Sequence, residues 1–387
     1  MSNIGRTYPS EMKKYNDPKT RREIIQLTDQ YENVHIYFTD NSFTVGDREI
    51  YFLSNRPDPD SEIFNYFKMD LETGIITQVT DEPSGIAGGR TKTPDSEYLV
   101  YMTDNRKTIK KLETKTGKTT VLYHEEGDDY TIQSPFISCD KQFVGFARNE
   151  NFHVEVGKNY VGFKESMYAC KDAYIMVAYM DGSGAFPVFH DTHWLGHFQF
   201  SPDMPNIASF CHEGPWNYVQ QRIWLLDIVS RKAWPCFRQQ EDDSVGHEFW
   251  TRDGNIFFDN RMAGHDGTIT VSRTQAVTDD HAGKPGQIPY VGLANKKGEV
   301  IKRIDMPFYC NHYHANNENT LLVGDEVDDL VLIDMATEPA TLTTLVNHGT
   351  SWNGQNTHCH PTWSWDSTKI LYTSDRDGKC NLYLIEL

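Results

Sequence analysis

Near the C-terminus the run QNTHCHPTWSWD, Gln355 to Asp366, brings a glutamine, two histidines and a tryptophan-rich turn close together. Residues two apart share a face of a β-strand, so on a strand His358 and His360 point to one side and Cys359 to the other. The same parity holds for His312 and His314 around Tyr313. Imidazole nitrogens suit a borderline metal such as manganese, iron, nickel or zinc, and Gln355 could add a carbonyl oxygen just upstream. Three histidines and one amide leave coordination positions for water or a substrate oxygen. A lone His-x-His pair is more often structural or superficial, so this chemistry requires a fold that carries other histidines to the same place.

The composition points to such a fold. The chain has 387 residues, of which 38% are apolar and 12% aromatic, with frequent glycine and proline. That balance suits many short strands joined by turns better than long helices, and an all-β protein is expected. The formal charge of −18 argues against a nucleic-acid or anionic-membrane partner, since either needs a basic face to release counterions. An anionic substrate then requires a locally positive pocket. The N-terminus, MSNIGRTYPSEMKKYNDPKT, has no apolar core of signal-peptide length, and no later segment approaches the ~18 apolar residues of a membrane span. Seven scattered cysteines without a CxxC pair favour reduced, mostly buried thiols over a disulfide framework or structural zinc. A cytoplasmic location is expected.

An internal repeat supplies the architecture. SFTVGDREIYFLSNR, RTKTPDSEYLVYMTDNR, PFISCDKQFVGFARNE, FQFSPDMPNIASFCHEG, EFWTRDGNIFFDNR, HANNENTLLVGDE and PTWSWDSTKILYTSDRDG each join a strand, a polar turn and a second strand. Third and fourth strands follow, as in NYFKMDLETGIITQVTDE and RIWLLDIVSRKAWPCF. The turns fall near Asp47, Asp95, Asp140, Asp203, Asp253, Asn317 and Asp366, a spacing of roughly 45 to 65 residues that matches four-stranded propeller blades with insertions. The expectation is a seven-bladed β-propeller forming one domain over 1–387. The last unit, CNLYLIEL, stops after its third strand, while REIIQLTDQ near the N-terminus reads as a fourth strand without a blade. The N-terminal strand should complete the last blade, leaving no open edge. Asn149 to Met167 and Ala263 to Gln287 read as insertions between second and third strands.

In a propeller the innermost strands run along the central channel. Alignment of the repeats puts His197 (WLGHFQF), His247 (VGHEFW), His312 (CNHYH) and His360 (THCHPTW) at matching positions within a residue. Blades far apart in sequence thus offer imidazoles to one region. His197 could equally be a hydrogen-bonded channel residue, and His212 in CHEGP could belong to a loop.

The segments WLGHFQFSPDMPNIASFCHEGP, QRIWLLD, GHEFWTRDGNIFF, CNHYHANNENTLLVGD and TSWNGQNTHCHPTWSWDSTKILYTSDRDGKCNLYL resemble the oligogalacturonate lyases, also called oligogalacturonide lyases, of pectin breakdown. The resemblance is ordered from about Trp194 to the C-terminus; before that it thins to fragments such as FNYFKMDLETG and AGGRTKTPDS. It implies a seven-bladed propeller that binds manganese and cleaves short uronic-acid oligomers, digalacturonate among them, to unsaturated uronate or 4-deoxy-5-keto-uronate products. Carried across, it places the metal ligands on His312, Gln355, His358 and His360, the base on His247 and the catalytic arginine on Arg222. His314 has no counterpart in the family pattern, and the offset to TLLVGD selects His312. Trp194, His197 and His212 lie in closely matching segments and are expected on the sugar-binding face, although burial between blades suits Trp194 at least as well.

β-Elimination from a uronide removes the C5 proton, α to a carboxylate, and expels the glycosidic oxygen from C4. A cation on that carboxylate would stabilise the enolate-like transition state. An imidazole has an unperturbed pKa of about 6.5, suited to proton abstraction near neutrality. Arg222 would orient a carboxylate or stabilise the developing anion; without the resemblance, a strand arginine in a surface ion pair is the simpler reading. Two rivals use the same architecture: a lyase for another uronide, and a non-catalytic TolB-like propeller that binds a protein. A propeller-capped serine hydrolase is excluded, since the chain has no GxSxG elbow and no residues left for a hydrolase domain.

Overall fold

The structure, a computed structural model, describes residues 2–88, 90–155, 160–261, 263–272 and 288–387. Within them lie seven antiparallel sheets of four or five strands, the seven-bladed β-propeller expected from the repeat. The chain divides into two compact units, Met1–Ala87 with Pro94–Glu97 and Cys310–Leu387, and Gly88–Thr93 with Tyr98–Tyr309. The first holds three of the sheets and the second holds four.

Burial within each blade follows strand order. Second strands are buried almost throughout, as in Glu49–Ser54, Ile256–Arg261 and Lys369–Ser374. Fourth strands such as Thr119–His124 and Val300–Asp305 are largely open to solvent. A strand covered on both faces reads as a continuous apolar run, whereas an outer strand tolerates charge. Core clusters form where neighbouring sheets pack: Ile223 and Leu225 of one sheet, with Phe237 just beyond its last strand, meet Val245, Ile256 and Phe258 of the next. The hairpin turns repeat one device. The Ser138, Ser201, Thr251 and Ser364 hydroxyls bond Asp140, Asp203, Asp253 and Asp366 at 2.6, 2.5, 2.6 and 2.6 Å, a local bond that suits Ser, Thr and Asp to turns.

The N-terminal strand does complete the last blade. Glu23–Gln26 pairs with Asn381–Glu386 in the register Ile25↔Leu384 and Gln26↔Tyr383. A strand not anticipated, Lys13–Asn16, adds to the outside of that sheet, and its two lysines suit an exposed edge. The insertion 149–167 contributes the helix Phe163–Ala169 between the second strand Phe143–Glu150 and the third strand Ala173–Tyr179; its residues 156–159 lie outside the described residues. The second insertion also falls between second and third strands, Ile256–Arg261 and Tyr290–Ala294; residues 273–287, with DDHAGKPGQ, lie outside the described residues. The seven cysteines are free thiols, six buried and Cys139 exposed. No helix among the described residues is long and apolar enough to cross a membrane.

Candidate functional site

In the first unit His312, His358 and His360 converge, with exposures of 4, 4 and 7%. Their ring centroids lie 4.1 Å (His312 to His360), 5.4 Å (His312 to His358) and 5.5 Å (His358 to His360) apart. One nitrogen from each ring falls within 4.8 Å of the others. The route to this convergence is not the strand parity expected from the sequence. His358 ends the 3-10 turn Gln355–Thr357 with φ −66° and ψ 140°, and His360 is left-handed at φ 42°, just before the strand Thr362–Trp363. The kink at His360 replaces strand alternation, and Cys359 between them is fully buried in the core.

The parity conflict between His312 and His314 is resolved by geometry. His312 precedes the strand Tyr313–Ala315 and joins the other two imidazoles. His314 lies within the strand, where its Nδ1 accepts from the Trp363 backbone N–H at 3.1 Å and its carbonyl accepts the Trp363 indole N–H at 3.0 Å. That histidine ties two sheets together. Asp325, fully buried, accepts the His312 backbone N–H at 2.5 Å and faces its Nδ1 at 2.9 Å. A carboxylate on Nδ1 fixes the tautomer with the lone pair on Nε2, the arrangement typical of a histidine bound to a metal. Trp352, left-handed at φ 60°, packs 5.5 Å from His358 and 6.5 Å from His312. Neither Asp325 nor Trp352 stands out in the sequence, because each is known only by what it touches. Gln355 opens the 3-10 turn before His358 with an exposed side chain. Three buried imidazoles at ligand spacing, one backed by a carboxylate, fit a divalent metal.

In the second unit His197 and His247 occupy equivalent bulges. The pairing register breaks between Gly196 and Gln199 and again between Gly246 and Phe249. The histidines at the breaks are left-handed, at φ 50° and φ 48°. Such a bulge re-aims one side chain out of the ladder. A glycine precedes each histidine: a Cβ on Gly196 would lie 2.9 Å from Glu213 Oε2, at the end of a side chain, whereas one on Gly246 would lie 1.9 Å from the Trp216 ring, so glycine is required at Gly246.

The two histidines differ in their partners. His247 is nearly buried, with Nδ1 3.2 Å from the buried carboxylate of Asp259, whose pKa is lowered because His247 and Arg261 outweigh the effect of burial. His197 lies between two carboxylates, with Nε2 3.1 Å from Glu213 and Nδ1 2.9 Å from Glu248. Burial alone would lower its pKa, but Glu248 and Glu213 push it up to about 10. His197 is therefore an imidazolium held between two carboxylates, a form suited neither to proton abstraction nor to metal ligation.

Arg222 is 2% exposed and bonds Glu213 at 3.0 Å and Glu248 at 3.4 Å, so it is not a solvated surface ion pair. Against the opposing effect of burial, Arg222 and His197 hold Glu213 well below the carboxylate range and bring Glu248 down to about 2. Two cations and two carboxylates cancel, so Arg222 does not by itself supply the locally positive pocket that an anionic substrate requires. His212 bonds Asp191 at 3.2 Å and stacks on His193 at 4.3 Å with rings 3° from parallel. Lone pairs in parallel stacked planes do not aim at one ion, so this trio is a hydrogen-bonded cluster. Trp194 packs edge-on between Phe152 and Phe163, at 5.7 and 5.5 Å.

The comparisons with known proteins agree across the chain. Curated relatives include an oligogalacturonide lyase of Pectobacterium atrosepticum, 26% identical over 99% of this chain and 98% of the relative. An oligogalacturonate lyase of Dickeya dadantii is 25% identical over 96 and 95%. Among solved structures, an oligogalacturonate lyase in complex with manganese superposes with TM-score 0.84 at 23% identity, covering 100% of this chain and 98% of that one. An oligogalacturonate lyase from Vibrio parahaemolyticus gives 0.85 at 21%, covering 99 and 98%. The profile of the family described as oligogalacturonate lyase matches residues 3–387, and this chain belongs to that family.

Proposed function

We propose that the protein cleaves short oligogalacturonates, digalacturonate among them, by metal-dependent β-elimination in pectin degradation. The observation that carries this reading is the buried His312, His358 and His360 set with Asp325 behind it, in a chain of the oligogalacturonate lyase family. His312, His358 and His360, with Gln355 adding an amide oxygen, would hold the metal, and a structural relative has been solved in complex with manganese. When bound, a divalent cation supplies Lewis acidity at the uronate carboxylate.

His247 is the base that takes the C5 proton. Asp259 on Nδ1 orients the ring and stabilises the imidazolium that forms. Arg222, held by Glu213 and Glu248, is a rigid guanidinium for the substrate carboxylate or the developing anion. Loss of the C5 proton to His247 with departure of the C4 oxygen leaves a C4–C5 double bond on one product, and the departing oxygen, on taking a proton from water, becomes a free hydroxyl on the other. His212, Trp194 and the ring of His197 complete the proposal as sugar-binding residues. The free thiols support a reducing, cytoplasmic site of action, and we take residues 1–387 as one domain, which requires a single cooperative unfolding transition.

The test is ultraviolet absorbance during incubation of the purified protein with digalacturonate, with manganese added and then chelated. Metal-dependent appearance of a conjugated unsaturated uronate is expected. Bound metal with no such absorbance would overturn digalacturonate as substrate and direct the search to other uronides.

A further inference from the structure

Trp216 lies in the loop between the strands Ile207–His212 and Ile223–Asp227 and is 5% exposed. Its indole meets the groups assigned to proton transfer and anion binding. The His247 ring stands edge-on to it at 4.9 Å and 76°. The guanidinium carbon of Arg222 lies 5.6 Å from its centroid, and that of Arg261 lies 5.0 Å away. Arg261 in turn approaches Asp259 at 3.4 Å, the carboxylate that faces His247. One side chain therefore touches the proposed base, the proposed arginine and the arginine beside the base's carboxylate.

The seat of the indole is made by two glycines from separate segments. A Cβ on Gly246 would fall 1.9 Å from the ring, and one on Gly267 would fall 2.4 Å from it. The Trp216 backbone N–H also donates to the Asp266 carbonyl at 3.0 Å. Gly267 is also left-handed at φ 85°, which favours glycine in its own right, whereas at Gly246 it is the ring itself that excludes a side chain, a close approach that glycine permits.

We propose that Trp216 is the positioning residue that holds His247 and Arg222 in one frame, with Gly246 and Gly267 as its seat. The inference rests on the reading of His247 as base. Small displacements of reacting groups cost rate far more than they cost binding, so the effect belongs in kcat.

The experiment compares kcat per bound metal and KM for wild type, His247→Ala, Trp216→Phe and Trp216→Leu, with thermal unfolding in parallel. Trp216→Leu should lower kcat roughly 100-fold and Trp216→Phe roughly 10-fold, with KM within about twofold and metal stoichiometry unchanged. Retention of a ring in Trp216→Phe rescues part of the loss. A purely structural role would lower the melting temperature and leave kcat per bound metal intact, and that result overturns the proposal. If Trp216→Leu does not fold, Trp216→Phe decides alone: unchanged kcat overturns the inference. Full activity in His247→Ala would instead remove the base assignment on which it rests.

Discussion

The two histidine groups draw on the same position of the propeller repeat, His312 and His360 in the first and His197 and His247 in the second, but surround it differently. In the first unit three buried imidazoles gather, with the carboxylate of Asp325 behind His312. In the second, His197 and Arg222 are matched by Glu213 and Glu248, and His247 faces Asp259. Excess imidazole over carboxylate leaves nitrogen donors for a cation. Matched charges make a rigid frame whose strength lies in orientation. His197, His247 and His360 are all left-handed residues, so the backbone device is shared and the neighbours decide the chemistry.

The largest break in this contrast is expected at His358. Replacement by alanine should abolish both metal retention, measured by elemental analysis after gel filtration, and production of unsaturated uronate. Retained metal with full turnover would remove the ligand assignment. Replacement of His247 by alanine should separate the groups: kcat falls by roughly 10²–10⁴-fold while metal content stays that of wild type. A gentler probe is Asp325→Asn, which keeps the His312 neighbour but removes its charge. Metal affinity should weaken by about 10–100-fold, with activity restored by excess manganese; unaltered affinity would show that Asp325 does not tune the site.

The smallest effect concerns His197. Its pKa is raised to about 10 in the folded protein, against about 6.5 when unfolded. Its contribution to stability is therefore full below about 6.5, shrinks as pH rises and is gone above about 10. The melting-temperature gap between wild type and His197→Gln should narrow across that window. Because 40% of the His197 side chain faces solvent, the gap is expected to be modest and salt-sensitive. A gap independent of pH would mean that His197 is not the imidazolium described.

The repeat, the seven blades and the closure of the last blade by Glu23–Gln26 were legible because each blade buries the same strands and turns on the same residue types. His312 and His360 were legible as candidates for the same reason, since equal register places equal residues, while His358 was legible from its spacing to His360 and the full ligand set only through the family resemblance. Strand parity, however, left His312 and His314 equivalent. It also described His358 and His360 by a regular alternation that the left-handed backbone at His360 replaces. Without the resemblance Arg222 reads as a strand arginine in a surface ion pair, and only the packing shows it to be buried against two carboxylates.

What the sequence alone determined is therefore what is periodic: the alternation of strands and turns, the blade count, and the family to which its motifs point. Tertiary structure decided what is pairwise and distant. The bond of His314 to Trp363, the pairing of His197 with two carboxylates and the placement of Trp216 between Gly246 and Gly267 each depend on contacts between segments with no common sequence pattern. Periodicity is imposed by backbone hydrogen bonding and burial that every blade repeats, whereas protonation and orientation are set by individual neighbours that packing brings together only once.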